Sequence, residues 1–74
     1  MSVTVIEVLE NAEANINNAI VAPALAHAVL PLAKGQLHNA IALLEKGYGL
    51  EDEVDKLLRL AFGDVENVPY KGLS

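Results

Sequence analysis

PALAHAVLPLAKGQLHNAIALLEKG, residues 23–47, is the longest piece of the chain that reads as one helix. Along it Ala26, Leu30, Ala33, Leu37, Ala40 and Leu44 recur at steps of four and three. That spacing keeps one stripe on one side of a helix. The stripe alternates Ala with Leu, so a partner helix can approach at each Ala and be gripped at each Leu. Leu25, Val29, Leu32, Ile41 and Leu43 add apolar surface on other sides. A helix apolar nearly all round is a buried helix. At 1.5 Å per residue it would be about 36 Å long, more than its short neighbours can cover.

Its ends are marked. Pro23 suits the first position of a helix, and Lys46 with Gly47 suits the last turn and the residue just beyond. Pro31 removes the bond to the His27 carbonyl and predicts a kink, and Gly35 adds local softness. Two shorter helices, 23–30 and 32–46, are the other reading. The stripe runs through Pro31 in register, which favours one kinked helix.

Toward the N-terminus, Thr4-Val5-Ile6-Glu7 has the spacing of a capping box. Val5, Leu9, Ala12, Ile16 and Ala19 then form a second stripe, with Glu7, Glu10 and Glu13 as a solvated acidic side. Asn15, Asn17 and Asn18 weaken this helix. Pro23 would clash with the Ala19 carbonyl inside a helix, so the first helix is expected to end between Ile20 and Ala22. One long kinked helix from Val5 to Lys46 is the alternative. Toward the C-terminus, residues 50–62 place Glu51, Asp52 and Glu53 before Lys56 and Arg59, a charge order that complements a helix dipole. Val54, Leu57, Leu58, Ala61 and Phe62 would be its apolar side, and Gly63 its end. Residues 64–74 have no helical period and should lie extended.

The expected fold is therefore all-α: a single domain, 1–74, of three helices at about 4–21, 23–46 and 50–62, with an extended tail. The central helix is long and kinked, and the chain assembles as a homo-oligomeric bundle. Composition points the same way. Apolar residues make up 53% of 74 residues and there is no Cys. A chain this short gains little from its own core, and oligomerisation is a common remedy. The aromatics are only Tyr48, Phe62 and Tyr70, so the core must be aliphatic.

Net charge is −5, and the five cations Lys34, Lys46, Lys56, Arg59 and Lys71 are spread along the chain. Nucleic-acid binding requires clustered cations, so it is not expected. The N-terminus lacks the basic region of a secretory signal, and a cytoplasmic setting is expected. Ala14 to Ala33 carries no formal charge and is long enough to span a bilayer. Its Asn, His and Pro residues would be costly in hydrocarbon, so a membrane role is not expected.

Catalysis is not expected either: no nucleophile–base pair and no phosphate-binding glycine loop is recognisable. No cofactor is implied. His27 and His38 are about 16 Å apart along a helix, too far to share an ion, and the Glu-x-x-His step of bundle metal sites is missing. The informative polar feature is the line His27, Lys34, His38, Glu45 on the central helix. Lys34 and His38, one turn apart, can donate to an anion such as a phosphate, a nucleotide or a partner's carboxylate. Tyr48, between two glycines, and Tyr70 in the tail could anchor a partner. The expected function is a small acidic protein-binding or regulatory module, an inhibitor or adaptor, acting as a homo-oligomer through the Ala/Leu stripe. The alternative is an oligomeric binder of a small anionic metabolite at Lys34 and His38.

Overall fold

The structure, a computed structural model, describes residues 2–61 and 63–71. Strand β1 (Ser2–Thr4) leads directly into helix α1 (Val5–Val21). A 3-10 turn (Pro23–Leu25) connects it to helix α2 (Ala26–Glu45). Strand β2 (Glu53–Asp55) and two further 3-10 turns, Lys56–Arg59 and Val65–Asn67, complete the order. The molecule is elongated, 47 × 22 × 20 Å.

The chain around α1 explains its ends. Thr4 caps the helix: its hydroxyl accepts the Glu7 N–H, while the Glu7 carboxylate accepts the Thr4 N–H. The free N–H groups of Val5 and Ile6 donate to the carbonyls of Asp52 and Leu50. At the far end Ala22 leaves helical geometry, and Pro23 opens the connecting turn, where its missing N–H costs nothing. Helix α2 then continues past Pro31, which lies inside it, without ending. It stops at Lys46–Gly47; Gly47 has φ +96°, and a Cβ there would collide with the Lys71 carbonyl.

The all-α, three-helix expectation is wrong. Two helices form a hairpin, and residues 50–62 do not make a third. Glu53–Asp55 pairs antiparallel with Ser2–Thr4, setting Val3 against Val54 in a two-stranded sheet. The physical reason lies in the backbone carbonyls. A helix over 50–62 would need them for its own N–H groups. Here the Leu50 and Asp52 carbonyls serve the start of α1. The Leu58 and Leu60 carbonyls accept from the Asn39 side chain, and the Arg59 carbonyl accepts from Gln36. Asp55 then caps the short turn by accepting the Leu57 N–H. Phe62, expected on the apolar side of that helix, lies outside the described residues, as does the end of the tail, 72–74.

The core sits at the base of the hairpin. Val3, Val5 and Val8 meet Ala40 and Leu43 from α2, with Val54, Leu58 and Val65 closing it. Away from the base the two helices touch through smaller residues, Ala12, Ala19 and Ala33. Such contacts let the helices approach closely but bury little apolar area per residue.

Candidate functional site

The segment after α2 crosses one side of the hairpin and is tied there by polar side chains. Asn15 of α1 donates to Gln36 of α2 at 2.8 Å, and Gln36 and Asn39 donate to carbonyls of residues 58–60. Gly35 gives the segment room: a Cβ there would lie 2.6 Å from that of Ala61. Lys46, 9% exposed, donates to the carbonyls of Val65, Glu66 and Val68. Among the described residues no buried side-chain polar atom is left without a partner.

Among the described residues, none covers the opposite side of the hairpin in this way. At about 100° per residue, Leu9, Ile16 and Ile20 lie on one flank of the α1 contact line, Val5–Ala12–Ala19. Leu30, Leu37, Ile41 and Leu44 lie on one flank of the α2 contact line, Ala33–Gln36–Ala40. Because the helices are antiparallel, both flanks fall on the same side, away from Asn15, Asn39 and Lys46. Ile20 is 71% exposed, Ile41 56%, Leu30 45% and Leu44 41%; Leu9, Ile16 and Leu37 are half-buried.

The stripe expected at an oligomer interface is thus divided by the fold. Ala33 and Ala40 are buried within the chain, at 2% and 0% exposure, where the two helices meet. Ala26 and Leu37 are half-buried, and Leu30 and Leu44 stay outside. Leu9, Ile16, Ile20 and Ile41 belong to the bare side although the stripe did not include them. Their signal was present in the sequence as a flank shared by both helices, legible once the helices are set antiparallel. Gln36 and Asn39 were also missed; two amides three residues apart on an apolar helix are the signal that something polar packs there.

Lys34 and His38 do come together. They line a cleft of about 390 Å³ beside Pro31 and Gly35. Asp64 and Glu66 line the same cleft, and His38 Nε2 is 3.6 Å from a Glu66 carboxylate oxygen. Two carboxylates beside one ammonium and one imidazole do not favour an anion. A larger cleft, about 640 Å³, lies between the sheet and the tail, with Glu53, Asp55 and Lys56 facing Tyr48 and Pro69. In it Ser2 donates to Glu53 at 2.8 Å, both exposed, with no imidazole lining the cleft.

Tyr48 is half-buried and donates its hydroxyl to the Pro69 carbonyl at 3.1 Å. It therefore secures the tail. Tyr70 is exposed, with the Lys46 ammonium 5.2 Å from its ring centre. Asp52 pairs with Lys71, and its carboxyl is held below the usual range by that hydrogen bond and by the Gly49 N–H. Among the described residues no group of three or more His, Asp or Glu side chains could hold a metal ion. No helix among them is long and apolar enough to cross a membrane. The chain matches no protein-family model, no curated protein and no solved structure.

Proposed function

We propose that this chain is a non-catalytic protein-docking module of the inhibitor or adaptor kind, working as a homo-oligomer. The observation that carries the reading is the asymmetry of the hairpin. One side is sealed by the C-terminal segment through hydrogen bonds to Gln36, Asn39 and Lys46. The other side leaves Ile20, Leu30, Ile41 and Leu44 in water. A domain with a small core gains most by covering such a side. The acidic composition, net charge −5, fits the cytoplasmic setting that belongs to the same proposal.

An oligomeric binder of a small anion has less support, because Asp64 and Glu66 share the cleft with Lys34 and His38. A thermal-shift panel of inorganic phosphate and nucleotides separates the two readings. Docking predicts no ligand whose stabilising effect disappears in Lys34→Ala or His38→Ala. For docking itself, light scattering should give a mass above that of one chain for the wild type. Leu37→Glu would bury a charge at the bare side and should return the single-chain mass. Since Leu37 is half-buried, Ile41→Glu at an exposed position serves as the second variant. A wild type that stays a single chain at high concentration would contradict the homo-oligomer.

A further inference from the structure

We infer that the bare side is closed by a second copy of this chain, related by a two-fold axis parallel to the helices, so that α1 of each copy lies on α2 of the other. This deepens the docking reading above and rests on it. Three observations choose the occupant and its orientation. The first is the spacing of Leu30, Leu37 and Leu44, seven residues apart on the exposed flank. A seven-residue repeat is the seam that a partner helix fills side chain by side chain. The second is size. Two helices side by side, each about 10 Å wide and 25–30 Å long, offer a face of roughly 500–600 Å² in projection. Its accessible area is larger, within reach of the roughly 800 Å² per partner that stable interfaces bury.

The third observation is charge. Glu13 lies on the α1 rim of the bare side, and Lys34 lies on the outer edge of α2, between the bare side and the cleft it lines with Asp64 and Glu66; both are exposed. Among the described residues neither has an ion pair. The Asn15–Gln36 hydrogen bond sets the level of the two helices. It places Lys34 level with Asn17, so Glu13 and Lys34 differ by about one turn, ~6 Å, along the hairpin. Within one chain they sit on opposite rims, too far apart to pair. With α1 on α2 of the second copy, each Glu13 meets a Lys34, twice by symmetry. The other face-to-face two-fold arrangement lays α1 on α1 and brings Glu13 toward its own copy, like charge on like charge. The pattern therefore favours the first arrangement.

Charge exchange tests it, with sedimentation equilibrium as the readout and far-ultraviolet circular dichroism as the control for folding. Glu13→Lys should weaken dimerisation about tenfold, the product of two lost pairs and two new repulsions. Glu13→Lys combined with Lys34→Glu should recover affinity to within about threefold of wild type. A dimer whose affinity the double exchange does not recover would overturn this arrangement and leave self-association standing. A wild type that sediments as a single chain at every concentration would overturn the arrangement and the reading beneath it.

Discussion

Lys46 is the side chain on which the C-terminal segment depends most. Its ammonium satisfies three carbonyls of residues 65–68 in a nearly closed environment. Replacing it by Ala removes three charge-assisted bonds and leaves those carbonyls short of donors. Lys46→Ala should cost about 2–4 kcal/mol, a large share of a small domain's stability. Urea denaturation measures it; a loss below about 0.5 kcal/mol would mean that the segment is held by something else. Asp52 makes a second, exposed clasp with Lys71. Because its carboxyl is held below the usual range, the folded state favours the ionised form. That contribution is fully present above roughly pH 4 and is lost as pH falls through the depressed value. The melting temperature should therefore drop on acidification in that window, and Lys71→Met should flatten that part of the profile. Neither role was readable from the chain. Lys46 had the position of a helix-ending cation, and only the folded tail shows which carbonyls it reaches.

Among the elements, the hairpin was legible and the third helix was a misreading. Thr4 and Glu7 announce the start of α1, and Thr4→Ala should cost about 1 kcal/mol. Pro23 announces the joint, because a residue without an N–H loses nothing at the head of a new turn. Residues 50–62 misled because their apolar spacing and charge order fit a helix as well as they fit a segment crossing one. What decided between them came from elsewhere in the chain: Val3 pairing with Val54, and Gln36 and Asn39 claiming the carbonyls of residues 58–60. Local periodicity carries no information about such partners. Gly35 gives a sharp test of how closely that segment sits. In a free helix Gly→Ala would stabilise by about 1 kcal/mol. Here the added Cβ would lie 2.6 Å from Ala61 Cβ, so Gly35→Ala should lower the melting temperature. A rise would show that residue 61 does not rest on α2.

For the whole molecule, the division between a covered and a bare side is the central feature. The stripe of Ala26, Leu30, Ala33, Leu37, Ala40 and Leu44 was visible in the sequence. Its split was not, because a stripe about 80° wide can be shared between a neighbour in the same chain and one outside it. Ala33 and Ala40 went to the contact between the helices, Leu30 and Leu44 to the surface, and Ala26 and Leu37 stay half-buried. The core at the base is small enough that each large side chain matters; Leu43, fully buried, should cost about 2–5 kcal/mol as Leu43→Ala. The exposed side chains of the bare side, Ile20, Leu30, Ile41 and Leu44, add little to the stability of the single chain, so substitutions at them should be nearly neutral to folding unless a second copy covers them. Ile20, 71% exposed, is therefore the most direct probe. Sedimentation equilibrium of the wild type and of Ile20→Glu, with helicity followed in parallel, tests the account where it is most exposed. A dimeric wild type and a single-chain Ile20→Glu with unchanged helicity are expected. A wild type that remains a single chain at hundreds of micromolar, or an Ile20→Glu variant that dimerises as tightly as the wild type, would contradict it.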